Sequence, residues 1–201
     1  MIHLYIARHG QTEENVRHIL QGQMPGHLTP EGIQQAEELR EKLRDMRFDR
    51  IFTSDLKRAV DTTRIISEPH GSQFELEPRL RERDFGIHTG GPYIRISHGL
   101  DPSAETMEQL AQRAADFLNK IVNLEEGGGM MSQGDEVGNS QARSVLAVSH
   151  GLFLRVLQAV YHGVGIREVE KMDNAEVRLL VLDSSMHFSA TAFAETGGTA
   201  N

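Results

Sequence analysis

Leu4-Tyr5-Ile6-Ala7-Arg8-His9-Gly10 is the stretch on which the reading of this chain turns: an apolar run stops abruptly at a cation, an imidazole and a glycine. Leu4, Tyr5 and Ile6 favour extended backbone, and a run this short and apolar suits an interior strand covered on both faces. Such a strand delivers chemistry to its own end. Arg8 carries a planar fork of donors suited to phosphate or carboxylate, and His9 is a candidate nucleophile or proton carrier. Gly10 would let a ligand approach the backbone closely. The three together suggest an oxyanion site, but a tripeptide recurs by chance, so the reading depends on what the rest of the chain brings to it.

Downstream, Gln11 to Asn15 and the glycine-punctuated stretch from Gln21 to Leu28 read as a loop around that strand end. Thr29 is a good N-cap with Pro30 at the first helical position. Ile33, Ala36, Leu39 and Leu43 then recur at helical spacing, predicting a helix to about Met46. Phe48 to Thr53 predicts a second strand, and Asp55 can cap a helix bearing Leu56, Ala59, Val60, Thr63 and Ile66 on one face, with Arg58 in its first turn. A strand, a helix, a strand and a helix in succession imply parallel strands with right-handed crossovers, whose carboxyl ends share one sheet edge. Arg8, His9 and Arg58 should therefore converge.

Leu80 to Gly86 follows as a strand backed by a dense charge run, and Gly90-Gly91-Pro92 breaks the chain. From Thr106, the residues Met107, Leu110, Ala111, Ala114, Leu118, Ile121 and Val122 make the cleanest amphipathic helix, a cover for the sheet. Residues 127–140 carry three consecutive glycines and no period, as a flexible loop would. Val145 to Ser149 is a buried β-run ending at His150-Gly151 before another apolar helix, which repeats the geometry of the first strand. Val177–Leu182 predicts one more strand and His187–Phe193 another, antiparallel at the sheet edge, and the end of the chain should fray.

The 201 residues suit one well-buried domain, without an internal linker. A formal charge of -8 argues against a general nucleic-acid or membrane-surface binder, so any anion must be held by a local pocket. With no cysteine, disulfide frameworks, thiolate zinc sites and cysteine nucleophiles are excluded. The ten histidines show no paired i, i+4 helical spacing, which argues against a metal site. The first strand leaves no room for a signal peptide and no run approaches a membrane span, so a cytoplasmic protein is expected.

Two strands ending in His-Gly, two strand-end arginines and an acidic residue in a charged loop form a set that suits a phosphoryl group. Its transfer is catalysed by positioning and by preorganised positive donors, which Arg8, Arg58 and His150 could supply. A neutral His9 could attack phosphorus and form a phosphohistidine. Glu82 is then the candidate acid for the leaving alkoxide. That role requires burial or a neighbouring carboxylate such as Asp84 to keep it protonated, and Arg81 and Arg83 to point away.

These residues carry a resemblance to the histidine phosphatase superfamily, in its phosphoglycerate-mutase-like branch. Arg8-His9-Gly10-Gln11-Thr12 with Asn15 resembles the phosphohistidine motif, and Leu28-Thr29 with Gly32 and Gln35-Ala36 the segment after it. Ser54-Asp55-Leu56 with Arg58-Ala59 and Thr62 resembles the second-arginine motif. Leu80, Glu82 and Gly86 resemble the acid loop, Glu105 and Arg113 the later helix motif, and Ser149-His150-Gly151 the second-histidine motif. The resemblance implies a three-layer α/β/α sandwich with a mostly parallel central sheet. It implies that His9 is phosphorylated, that Arg8, Arg58 and His150 bind the phosphoryl group, and that Glu82 donates the proton. It further implies substrate contacts from Asn15, Gln21, Gly22 and Gly151, and no metal or other cofactor.

Some positions depart from the family pattern. Glu14 stands where many members have tryptophan, and His88-Thr89 where many have tryptophan and an acidic residue, so the substrate wall is altered. Eighteen residues, 87–104, separate Gly86 from Glu105, a shortened cap segment, whereas the stretch 125–143 is longer than expected. The expected activity is hydrolysis of a small phosphorylated metabolite. The alternatives are a phosphoglycerate mutase and, in another class, a non-catalytic phospho-ligand binder that would not need Glu82. A homodimer is compatible with the sequence.

Overall fold

The computed structural model describes residues 1–71, 73–93, 101–124 and 142–191. Its centre is a five-stranded sheet in the order β3-β2-β4-β1-β5, formed by β1 (Ile2–Arg8), β2 (Arg50–Thr53), β3 (Glu75–Leu76), β4 (Arg143–Ser149) and β5 (Val177–Leu182). The first four strands run parallel; β5 pairs antiparallel with β1. Arg8 lies opposite Ser149 and Thr53 opposite Val148, so the strand ends that precede His9, Ser54 and His150 lie side by side.

Two helical layers cover the sheet, giving the expected three-layer α/β/α sandwich. On one face, α4 (Met107–Val122) and α5 (Gly151–His162) bury Leu110, Phe117, Leu118, Phe153 and Leu157 against Leu4, Ile6, Val145 and Ala147. Full burial of each such large apolar side chain stabilises by about 1.5–3 kcal/mol. On the other face, α2 (Pro30–Leu43) and α3 (Lys57–Ser67) bring Leu39, Leu43, Ala59 and Ile66 onto Ala7, Leu146 and Val148. Thus β4 is covered on both faces. β1 is covered fully only on the α4–α5 side, since His3 and Tyr5 are half-buried, so the expectation of a strand buried on both faces holds for β4 and not for β1.

Local chemistry explains most of the boundaries. Thr29 accepts the N–H of Gly32 and caps α2, while Thr106 and Gln109 form a reciprocal capping box at the start of α4. Helix α2 ends at Leu43, short of Met46. Thr12 caps a single helical turn, α1 (Glu13–Val16), where the sequence suggested loop. Asp55 does not cap α3: its carboxylate takes a bidentate pair from Arg81 at 2.7 and 2.5 Å, and Ser54 Oγ accepts the Leu56 N–H instead. Leu80 to Gly86 is not a strand; the local strand is Glu75–Leu76, and Pro78–Leu80 makes a 3-10 turn. His187 to Thr191 does not pair in the sheet, whose antiparallel edge is β5. The predicted 127–140 loop lies outside the described residues, and Arg143, assigned to the longer stretch 125–143, already belongs to β4.

Candidate active site

The carboxyl ends of β1, β2 and β4 bring His9, Arg58 and His150 together. His9 is 3% exposed and His150 fully buried, with ring centroids 5.2 Å apart. His9 Nδ1 donates to the Gly10 carbonyl at 2.7 Å, and Arg58 Nε donates to His9 Nε2 at 3.2 Å. The two partners together assign the neutral tautomer with its lone pair on Nε2. Burial, then the charges of Arg58 and Arg8, hold the His9 pKa well below its ordinary value.

Arg58 is 1% exposed, and its guanidinium also donates to the carbonyls of Met24 at 2.5 Å and Gly22 at 2.8 Å. The positive φ of Gly22 (+50°) turns that carbonyl inward, a backbone that L side chains seldom adopt. Burial lowers the Arg58 pKa to about 10, with the carboxylates of Glu82 and Glu14 opposing the shift. Arg8 donates one Nη1 bond to the Met172 carbonyl at 2.7 Å, and its Nε is buried without a partner. A Cβ on Gly151 would stand 3.2 Å from that Nε, so the glycine lets the guanidinium lie against the start of α5.

His150 Nε2 is 2.8 Å from Ser54 Oγ, and its Nδ1 is buried without a partner. Burial and then Arg58 depress its pKa too. Glu82 is seated on the first turn of α5: its oxygens accept the N–H groups of Leu152 (3.1 Å) and Phe153 (3.0 Å), and of Arg83 (2.8 Å). Asp84, two residues on, accepts the Gly86 N–H with Oδ1. Of the flanking arginines, Arg81 turns away to pair with Asp55 as expected, whereas Arg83 donates to the Glu105 carbonyl and its charge still acts on Glu82.

Helix α4 fixes this acid loop. Arg113 makes a bidentate pair with Glu105, with both bonds at 2.8 Å, and donates to the carbonyls of Arg79 and Arg81 at 2.7 and 2.6 Å. Ser149 Oγ donates to the Leu80 carbonyl at 2.6 Å, tying the loop to β4.

One sequence reading is corrected at Gly10. A Cβ there would stand 2.3 Å from the Gly32 carbonyl, and one on Gly32 would stand 2.0 Å from the Gln11 carbonyl. The glycine pair serves backbone contact between α2 and the His9 turn, so the close approach at Gly10 is made by the protein itself. A residue that the sequence did not reveal is Asn174. Its Nδ2 donates to the His9 carbonyl at 3.0 Å and to Asn15 Oδ1 at 3.4 Å. Asn15 Oδ1 also accepts the Thr12 N–H. The asparagine lies just before β5 with no local motif around it; the signal that could have found it is its place at the end of a strand neighbouring β1. Gln21 is 7% exposed with its Oε1 unpartnered, beside Gly22.

The sequence matches the histidine phosphatase superfamily (branch 1) over residues 4–191. The chain belongs to that superfamily. Histidine phosphatases among its relatives include a fructose-2,6-bisphosphatase of Danio rerio, 33% identical over 76% of this chain and 72% of the relative. A broad-specificity phosphatase of Saccharomyces cerevisiae is 31% identical over 78% and 69%. The Erwinia tasmaniensis protein named "Probable phosphoglycerate mutase GpmB" is 30% identical over 92% and 83%. Among solved structures, a mycobacterial glucosyl-3-phosphoglycerate phosphatase superposes with a TM-score of 0.72 at 26% identity over 89% of each chain. Bacillus stearothermophilus YhfR shares the fold with a TM-score of 0.80 at 24% identity over 100% of this chain and 98% of that one. This chain is thus an enzyme of the histidine phosphatase fold, and among its described residues no helix is long and apolar enough to cross a membrane.

Proposed function

We propose that the chain is a phosphomonoesterase that hydrolyses a small phosphorylated metabolite through a phosphohistidine on His9, without a metal ion. The observation that carries this reading is the state of His9: Nδ1 is committed to the Gly10 carbonyl, which leaves the Nε2 lone pair among Arg58, Arg8 and His150. Nε2 attacks phosphorus, the bond from phosphorus to the ester oxygen breaks, and Glu82 passes a proton to the departing alkoxide. In the second displacement the Glu82 carboxylate takes a proton from water, the hydroxide attacks phosphorus and the bond to Nε2 breaks. The unpartnered Arg8 Nε and His150 Nδ1, with Arg58, supply donors for the phosphoryl oxygens. Asn15, whose Oδ1 is held by Thr12 and Asn174, presents its amide nitrogen as a further donor.

Hydrolysis rather than transfer to a second hydroxyl is supported by the short cap. Among its described residues, the segment after Gly86 makes one 3-10 turn and folds back, the Leu20 N–H donating to the Gly91 carbonyl and the Gly90 N–H to the Leu20 carbonyl, both at 2.8 Å. Of the three relatives, two are named phosphatases and one a probable phosphoglycerate mutase, so the names support phosphoryl chemistry on a small ester, and the choice of hydrolysis rests on the cap. Incubation with p-nitrophenyl phosphate, followed by mass spectrometry under alkaline conditions that preserve phosphohistidine, should place the modification on His9. The same reaction should proceed in EDTA. A fully active His9→Ala protein, or turnover that requires an added divalent ion, would overturn the proposal.

A further inference from the structure

His9 and His150 carry the same side chain at two neighbouring strand ends, yet phosphoryl transfer asks opposite things of them: a lone pair from one and an N–H from the other. Which of these an imidazole presents is set by the hydrogen bond that its other nitrogen makes. In His9 the other nitrogen is Nδ1, which gives its proton to the Gly10 carbonyl and leaves Nε2 with a lone pair. In His150 it is Nε2, 2.8 Å from Ser54 Oγ, and the nitrogen left over is Nδ1, buried without a partner. A carbonyl can only accept, whereas a hydroxyl can donate or accept. The state of His150 therefore depends on where the Ser54 proton goes.

Ser54 is fully buried, so its hydrogen bonds can be counted. Its Oγ accepts the Leu56 N–H at 3.3 Å. Among the described residues, the other partner of that oxygen is His150 Nε2, which leaves the hydroxyl proton a single acceptor, the Nε2 lone pair. If Nε2 carried the ring proton instead, Ser54 Oγ would face two donors and its own proton would have nothing to receive it. A buried donor left unmatched in this way is strongly disfavoured. In the favoured arrangement Ser54 donates, Nε2 accepts, and the proton of the neutral ring sits on Nδ1.

We propose that Ser54 is a positioning residue whose hydroxyl, by donating to Nε2, fixes the proton of His150 on Nδ1, so that a neutral imidazole meets the phosphoryl oxygens as a donor. This role rests on the phosphatase reading of the site. With the opposite tautomer the open nitrogen would carry a lone pair and repel an oxyanion. A donor would then require full protonation of the ring, which burial and the charge of Arg58 oppose.

Proton–nitrogen correlation of the imidazole rings by NMR reads the tautomer in the free protein at neutral pH, the His150 signals being those lost in His150→Ala. Wild-type His150 should carry its proton on Nδ1. In Ser54→Ala the proton should move toward Nε2, and the burst rate with p-nitrophenyl phosphate should fall about tenfold, less than the loss of a whole preorganised donor. Ser54→Cys, a weaker donor of similar size, should fall between the two and serves as the second variant if Ser54→Ala misfolds. Both variants also weaken the acceptor for the Leu56 N–H at the start of the helix that carries Arg58. A His150→Ala background separates the two effects: there Ser54→Ala should slow the burst by no more than about twofold, because residues acting through one another are not additive. If no ester is hydrolysed while the wild-type ring holds its proton on Nδ1 and releases it in Ser54→Ala, the phosphatase reading fails and the tautomer assignment stands. A wild-type proton on Nε2, a His150 signal unchanged in the variants, or a full loss of rate persisting in the His150→Ala background would overturn the proposal.

Discussion

Arg58 holds three acceptors with one planar group: His9 Nε2 and the carbonyls of Met24 and Gly22. The fork is thereby fixed before any substrate arrives, the condition under which a donor to transition-state charge is most effective. Arg58→Ala should slow phosphorylation of His9 by about a hundredfold or more, read as the burst rate with p-nitrophenyl phosphate in rapid quench. Arg58→Lys should not restore it, because a single ammonium cannot span the same three acceptors in one plane. A lysine variant close to the wild-type burst rate would show that only the charge matters.

At the scale of elements, the site depends on how closely α2 packs against the turn after β1. The contact is backbone to backbone, Gly10 and Gly32 meeting where any Cβ would collide with a carbonyl. Alanine normally stabilises a helix relative to glycine by about 1 kcal/mol. At Gly32, which lies within α2, the sign should reverse. Gly32→Ala should destabilise the protein by about 1–3 kcal/mol, the range for overpacking, and urea denaturation should show the loss as a lower midpoint. A higher midpoint would mean that the helix can shift without cost. Helix α5 plays the complementary part, since its first N–H groups seat Glu82 while His150 immediately precedes it.

For the whole molecule, burying two imidazoles among arginines links stability to pH. Burial is the leading cause of the depressed pKa of both His9 and His150, and Arg58 adds to it. In the unfolded chain both titrate near 6.5. Below that value the unfolded chain gains protons that the folded chain refuses, so stability is full above about pH 6.5 and falls as pH falls. Each imidazole contributes a slope of up to about 1.4 kcal/mol per pH unit until its folded pKa is reached. His70, lowered by burial alone, acts in the same direction. Denaturant titrations between pH 7.5 and about 5 should show this decline, and His150→Gln should flatten it. An unchanged slope in that variant would contradict the assignment of His150 as buried and neutral. His9, for the same reason, should stay nucleophilic below its ordinary pKa.

The sequence by itself determined the α/β order of elements, the convergence of Arg8, His9, Arg58 and His150, and Glu82 as their acidic companion. These are written locally: short apolar runs that stop at chemistry-bearing residues, helices with Thr caps, and parallel crossovers that bring strand ends to one edge. Only the tertiary structure decided which groups those residues meet. Asp55 lacks a capping role because Arg81, far along the chain, claims its carboxylate. Gly10 is required by Gly32 on another element, and Asn174 reaches His9 from the far end of the sequence. The direction of each hydrogen bond, the tautomer of His9 and the unmatched oxygen of Gln21 belong to the same class. They depend on contacts between segments distant in the chain, which hydrophobic period and local propensity do not encode.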